Sequence, residues 1–101
     1  MSTKTETITE VIEETELVEP NKYRVILHND DKTTFDFVIY ILHEVFNKDD
    51  NEAFELTHRI HDSGAATAGI YSHQIAESKV DETSALAKAN QFPLKATAEE
   101  F

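Results

Sequence analysis

"VILHNDDKTTFDFVIYILHEVF", residues 25–46, contains the transition from strand to helix that decides the fold. An apolar run over residues 25–27 leads into a polar cluster made of His28, Asn29, Asp30 and Asp31. Apolar residues then recur at helical spacing, which predicts a helix over about residues 34–47. An amide, two carboxylates and a histidine are thus placed where a strand meets an amphipathic helix, and this placement needs a physical explanation.

The polar cluster has a simple structural interpretation. Thr33 followed by Asp36 has the spacing of a capping box, so the Thr33 hydroxyl is predicted to accept a hydrogen bond from a free N–H of the first helical turn. Asp30 or Asp31 can also cap a helix or close a turn, because short acidic side chains bond to nearby backbone N–H groups. On residue pattern alone, a capping or turn role is the more common one for either aspartate.

Three strands and two further helices are predicted around this first helix. Residues 23–29 and 66–72 are short and β-rich, and Leu94–Ala98 has the length of a last edge strand. A third helix is predicted over about residues 73–90, with Ser72 as its cap. The order of elements predicts an α+β fold in which a small antiparallel three-stranded sheet packs against three helices.

The second helix follows the turn at "NKDDNEAF" and is predicted to begin at a cap formed by Asp50 or Asn51. Gly64 is predicted to end it, because glycine readily adopts the left-handed conformation found after helix C-termini. The predicted inner face of this helix consists of Ala53, Phe54, Leu56, Thr57, Ile60 and His61.

Length and composition predict one small domain with an extension. Residues 1–22 carry a net charge of −4 and lack aromatic residues, so they are predicted to form a flexible, disordered acidic extension. Residues 23–101 carry the remaining −7 and are predicted to form the core domain. Acidity in both parts argues against a nucleic-acid partner. With no cysteine, no signal peptide and no apolar run of membrane length, the sequence predicts a cytoplasmic protein without disulfides.

The polar cluster and a histidine of the second helix suggest a binding site. A strand end carrying Asn29 and Asp30 offers acceptor oxygens, and His61 can add an imidazole nitrogen if its helix faces that corner. A primary ammonium has three donors and no acceptor, so such a set of acceptors would match it. The hypothesis is therefore a site for an amine, without catalysis and without a cofactor.

Two other interpretations remain open at this point. A metal-dependent hydrolase could use the set Asp30, Asp31, His58 and His61, although the spacing of the two histidines is not that of a zinc protease. Alternatively, the domain serves only structural interactions and its polar corner caps a helix. No nucleophile elbow, phosphate-binding loop or dinucleotide motif is present.

Three segments together resemble a known family. "YRVILHNDDKTTFDFVIYIL", "IHDSGAATAGIYSHQIAESKV" and "NQFPLKATAEE" are similar to the bacterial ClpS family, adaptors of the Clp protease in the N-end rule pathway. The likeness extends from residue 23 to about residue 98. It implies binding of proteins with a free N-terminal Leu, Phe, Tyr or Trp and their delivery to a ClpA-type AAA+ unfoldase for degradation.

The resemblance also implies roles for individual residues. It places Asn29, Asp30 and His61 where the family holds the α-amino group, with Asp31 and Thr33 at the pocket rim. It implies a hydrophobic pocket formed by Phe35, Val38, Thr57, Ile60 and Leu94. Many relatives carry Met at the positions of Phe35 and Thr57.

Two further implications concern delivery of the substrate. The resemblance implies contact with the N-terminal domain of the unfoldase through Lys79, with Gln74 and Tyr71 as neighbouring candidates. It also implies that the N-terminal extension is needed for delivery, whereas the composition of the extension fits a solubilising tail equally well. No metal is implied.

Overall fold

A computed structural model of the chain describes residues 21–101. The described part contains three strands and three helices in one chain order: β1 (Lys22–His28), α1 (Phe35–Glu44), α2 (Asp50–Ser63), β2 (Ala65–Ser72), α3 (His73–Ala89) and β3 (Lys95–Glu100). The strands form one antiparallel sheet in the order β2-β1-β3. The predicted α+β fold with a three-stranded antiparallel sheet and three helices is therefore confirmed, whereas the predicted disordered extension lies almost entirely outside the described residues.

The central strand β1 carries the core. Val25 and Leu27 have no exposed surface, because alternate residues of a strand point to the same face of the sheet. They belong to one hydrophobic cluster with buried residues of all three helices, among them Ile41 of α1, Ile60 of α2 and Ala76 of α3. The buried residues of the sheet therefore pack against the helices. Strand β1 ends at His28, the first residue of the polar cluster.

Local hydrogen bonds change the predicted start of two helices. Thr34, not Thr33, caps α1: its hydroxyl oxygen accepts from the Phe37 N–H at 3.1 Å. Asp49, rather than Asp50 or Asn51, caps α2 and forms a capping box with Glu52. Both predictions were wrong by one or two residues because several adjacent side chains are able to cap, and only the path of the preceding loop selects one of them.

The other element boundaries differ from the predictions by a few residues. Helix α1 ends at Glu44 rather than near residue 47, and β3 covers Lys95–Glu100 rather than Leu94–Ala98. The backbone at Asn47 has a φ of 56°, which is incompatible with a continuing right-handed helix. Phe54, predicted to face inward, is 50% exposed. The proposed boundary between residues 1–22 and 23–101 remains a prediction.

Gly64 ends α2 as predicted. Its φ of 92° lies in the left-handed region, and its N–H donates to the Ile60 carbonyl oxygen. The Gly64 carbonyl oxygen in turn accepts from the Asn29 N–H at 2.8 Å. The end of α2 is therefore joined directly to the end of β1, and this junction positions the candidate site.

Candidate functional site

The loop between β1 and α1 is organised by the carboxylate of Asp30. One oxygen, Oδ1, accepts from the backbone N–H groups of Lys32 at 2.8 Å and Thr33 at 2.7 Å. The other, Oδ2, accepts from the Thr33 hydroxyl at 2.7 Å. The Thr33 hydroxyl is thus used to hold Asp30, which explains why Thr34 caps the helix instead. The prediction that Asp30 has a turn role is correct. The same contacts hold its negatively charged carboxylate just after the end of β1.

These hydrogen bonds affect the ionisation of Asp30. Burial by itself would raise the pKa of this carboxyl, but the hydrogen bonds from Thr33 and Lys32 outweigh burial and place the pKa of Asp30 below its ordinary value of 3.8. The group is consequently an anion at neutral pH, which is the state that a cationic ligand requires.

The lowered pKa of Asp30 predicts that this loop loses stability in acid. A folded-state pKa below the unfolded one means that the contribution to stability is present above the unfolded pKa and is lost as the pH falls through the folded pKa. We expect the unfolding free energy of the wild type to exceed that of Asp30→Asn near neutral pH, and the difference to shrink as the pH falls below 3.8. Urea titrations of both proteins over this range measure it, and a difference that does not change with pH contradicts the prediction.

A pocket of about 320 Å³ opens beside the Asp30 loop. Polar residues of the β1–α1 loop and the end of α2 line one part of it, and apolar residues of α1 and α2 line the other. The lining residues are Asn29, Asp30, Asp31, Thr33, Phe35, Val38, Thr57, Ile60 and His61. Of the ten residues predicted for amine binding, rim and pocket, nine therefore surround one cavity.

Leu94 is the tenth, and it does not line this cavity. It is 5% exposed and belongs to the hydrophobic core cluster. Leu94 is thus not a lining residue, and the prediction that it contributes to the pocket stays a prediction. Leu94 lies just before β3, and the same cluster includes Val38 and Ile60, which line the pocket.

Thr57 brings a hydroxyl to the apolar part of the pocket. The residue is only 2% exposed, and its Oγ1 donates to the Ala53 carbonyl oxygen of the same helix at 2.7 Å. Since a buried hydroxyl is costly only when it lacks a partner, Thr57 can line the pocket without leaving its donor unpaired.

His58 belongs to a different environment from His61. Its ring packs edge-on against Phe35 at 4.8 Å and Phe54 at 4.7 Å between ring centroids, and it is not part of the pocket lining. Within residues 21–101 no three side chains of the His, Cys, Asp or Glu type form a group that could hold a metal ion. The set Asp30, Asp31, His58 and His61 proposed for a hydrolase is accordingly not assembled.

The three residues predicted for unfoldase docking lie on β2 and α3, outside the pocket lining. Lys79 donates from Nζ to the Val45 carbonyl oxygen at the end of α1, at 2.7 Å, and lies 5.8 Å from the centroid of the Tyr71 ring. Tyr71 is half-buried, and burial raises the pKa of its hydroxyl. Gln74 is exposed. The Lys79 side chain therefore links α3 to the end of α1, whereas the Gln74 side chain is exposed to solvent.

The chain is similar in sequence and in architecture to known proteins. Residues 18–97 match the family described as ATP-dependent Clp protease adaptor protein ClpS. The chain belongs to the ClpS family. This family consists of adaptors of the Clp protease, and the resemblance seen in the sequence is confirmed.

Individual members support the assignment to the ClpS family. The adapter protein ClpS of Nautilia profundicola is 44% identical over 94 residues, covering 93% of this chain and 97% of the relative. ClpS of Helicobacter hepaticus is 47% identical over 88 residues, covering 87% and 89%. A solved structure of Agrobacterium tumefaciens ClpS2 bound to L-phenylalaninamide has a TM-score of 0.79 and 34% identity, and covers 82% of this chain and all of that one.

Two residues next to the site, Phe54 and His58, were predicted in other roles, the first on the inner face of α2 and the second as a possible metal ligand. Phe54 and His58 contact Phe35, which lines the pocket, but they do not line it themselves. Their spacing of four residues on α2 was a usable signal, since such residues are neighbours on a helix surface. Their contact with Phe35 joins two helices and could not be deduced from spacing.

Among residues 21–101, no helix is both long and apolar enough to cross a membrane. The predicted cytoplasmic location remains a prediction.

Proposed function

We propose that this member of the ClpS family binds proteins whose free N-terminal residue is Leu, Phe, Tyr or Trp and delivers them to a ClpA-type unfoldase. The observation that carries the proposal is that one pocket has both acceptor groups and apolar side chains in its lining. An N-terminal residue has the same two parts, because its ammonium group and its side chain are attached to the same α-carbon.

The polar end of the pocket suits an ammonium group. Asp30 is an anion at neutral pH for the reasons given above, and Asn29 supplies an amide oxygen. His61 lines the same cavity from α2 and can accept a hydrogen bond through an unprotonated ring nitrogen. Asp31 and Thr33 form the rim of the site in this proposal.

The apolar end suits one bulky side chain. Phe35, Val38, Thr57 and Ile60 line it, and burial of a Leu or Phe side chain contributes roughly 1.5–3 kcal/mol. The volume of about 320 Å³ lies at the lower limit of ligand pockets, which favours a single residue over a longer segment. The relative from Agrobacterium tumefaciens, bound to L-phenylalaninamide, supports this ligand class.

A crystal structure of the protein with a peptide that begins with Phe tests the proposal. We expect the Phe ring in the apolar part of the pocket and the α-amino group within hydrogen-bonding distance of Asn29, Asp30 and His61. An empty pocket, or a peptide whose amine lies elsewhere, contradicts the proposal. Binding is proposed to occur without chemistry, so the peptide should be recovered intact.

Delivery is proposed to use the surface of α3 and the N-terminal extension, with Lys79, Gln74 and Tyr71 as contacts of the unfoldase. Gln74 gives the clearer test, because removal of the Lys79 side chain would also break its hydrogen bond to Val45. We expect Gln74→Ala to weaken binding to the isolated N-terminal domain of a ClpA-type unfoldase by about 2- to 10-fold, the loss of one or two rim contacts. Calorimetric titration measures this effect. Unchanged affinity for the domain contradicts a docking role for Gln74, and unchanged affinity for a Phe-starting peptide is the control.

A further inference from the structure

An aromatic cluster adjoins the pocket on the surface of α1 and α2. It consists of Phe35, Phe54 and His58, and every pair of rings is in contact. The ring centroids of Phe35 and Phe54 are 5.8 Å apart at 74°, those of Phe35 and His58 are 4.8 Å apart at 67°, and those of Phe54 and His58 are 4.7 Å apart at 78°. All three contacts are edge-to-face, which is a favoured geometry for aromatic pairs.

The members of the aromatic cluster differ in their relation to the pocket. Phe35 is the first residue of α1 and lines the cavity, whereas Phe54 and His58 lie four residues apart on α2 and do not line it. The same helix supplies Thr57, Ile60 and His61 to the pocket lining. Helix α2 therefore contributes residues to the pocket and also contacts Phe35, which lines the pocket from α1.

Core packing does not account for this cluster. Phe54 is 50% exposed and His58 is exposed, so neither removes much apolar surface from water in the folded state. Phe35 is itself only half-buried. A half-buried phenylalanine at the start of a helix can occupy more than one staggered rotamer, and each rotamer would give the pocket a different shape. Contacts with two rings of α2 favour one of these orientations.

We propose that Phe54 and His58 are positioning residues that hold the Phe35 ring as a fixed side of the pocket and so restrict the size of the N-terminal side chain that is accepted. This inference rests on the proposed function, because it concerns which N-terminal residues are bound. With the ring held in place, the small cavity accommodates a Phe side chain better than the larger Trp. Loss of the contacts allows the ring to turn away and reduces the discrimination against Trp.

The test compares two peptides that differ only in their first residue, Phe or Trp, by fluorescence anisotropy. We expect the wild type to prefer the Phe-starting peptide by at least about fivefold, the scale set by one or two aromatic contacts. In Phe54→Ala and His58→Ala the preference should fall to within about twofold. His58→Phe keeps an aromatic ring at this position and should retain the preference.

Matched controls separate positioning from stability. Ile75→Ala removes an apolar side chain that is 50% exposed, as Phe54 is, but on α3 and away from the pocket lining. It should leave the Phe-to-Trp ratio unchanged. A variant that merely destabilises the fold lowers both affinities by the same factor, so the ratio reports positioning, and thermal unfolding of each variant verifies that it is folded.

The outcomes distinguish this inference from the proposed function. If the wild type binds the Phe-starting peptide with the expected preference and Phe54→Ala and His58→Ala retain that preference, the positioning role is refuted and the proposed function stands. If the wild type binds Phe- and Trp-starting peptides equally well, the restriction of size is refuted. If it binds neither peptide, the proposed function fails and the inference fails with it.

Discussion

Acetylation of the α-amino group of a Phe-starting peptide is expected to weaken its binding at least about 30-fold, equivalent to about 2 kcal/mol. The acetylated nitrogen has one donor and no charge, whereas the ammonium has three donors and a full positive charge. In the proposed complex, Asn29 and Asp30 would then lose the hydrogen bonds and the ion pair that the free amine provides. Fluorescence anisotropy with the free and the acetylated peptide measures the difference.

The appropriate control is the same peptide acetylated on a lysine side chain distant from its first residue. This change also removes one positive charge, so it measures the general attraction of a cationic peptide to a protein with a net charge of −11. We expect at most about a threefold effect, because exposed charges are screened by salt. Equal binding of the free and N-acetylated peptides would show that the pocket does not recognise a free N-terminal α-amino group.

Asp30→Asn is expected to weaken binding of the free Phe-starting peptide by about 10- to 100-fold, the range for hydrogen bonds to charged groups. The asparagine retains one carboxamide oxygen that can accept from the N–H groups of Lys32 and Thr33, so much of the loop geometry can be kept. What it loses is the negative charge that the proposed function places beside the ammonium. Calorimetric titration gives the affinity, and circular dichroism verifies the fold.

Asp36→Asn provides the matched control for this variant. It makes the same change of charge in the first turn of α1, six residues away, at an exposed carboxylate outside the pocket lining. Its effect on peptide affinity should stay within about twofold, as expected for an exposed charge in water. If a folded Asp30→Asn variant binds the peptide as tightly as the wild type does, Asp30 serves the loop only and the amine is recognised by other groups.

The melting temperature of an Asp30→Ala variant cannot distinguish a structural role of Asp30 from a binding role. A purely structural polar corner predicts that Asp30→Ala lowers the melting temperature, but a binding site predicts the same, because this carboxylate accepts three hydrogen bonds from Lys32 and Thr33. Only the ligand affinity separates the two interpretations. This is the reason for choosing the asparagine variant, which removes the charge and preserves an acceptor.

Local features of the chain account for most of the correct predictions. The helices, the strands and the end of α2 at Gly64 follow from residue periodicity and from the conformational freedom of glycine. Helix caps were less predictable, because Thr33 and Thr34 are equally able to cap. The Thr33 hydroxyl is hydrogen-bonded to Asp30, so Thr34 caps the helix. The failures at the caps therefore arise where two neighbouring side chains compete for the same role.

The candidate site was predicted mainly through family resemblance, and its geometry shows why residue pattern was insufficient. Asn29 and His61 are separated by about thirty positions, and they line one pocket because the Asn29 N–H is hydrogen-bonded to the Gly64 carbonyl oxygen. Leu94, which the resemblance assigns to the pocket, does not line it and belongs to the hydrophobic cluster that also contains Val38 and Ile60. Lys79 is bonded to Val45, 34 positions away, a contact that gives it a structural role beside any docking role.

By itself, the sequence determined the order of strands and helices, the acidic character of the chain and the kinds of chemical group available at the end of β1, because these depend on composition and on contacts within a few residues. Only the tertiary structure decided that Thr34 caps α1, that Leu94 belongs to the core and that Phe54 and His58 contact Phe35. The cap depends on the conformation of the β1–α1 loop. The other two outcomes depend on contacts between separate elements, whose distances are set by the packing of the whole domain and not by spacing along the chain.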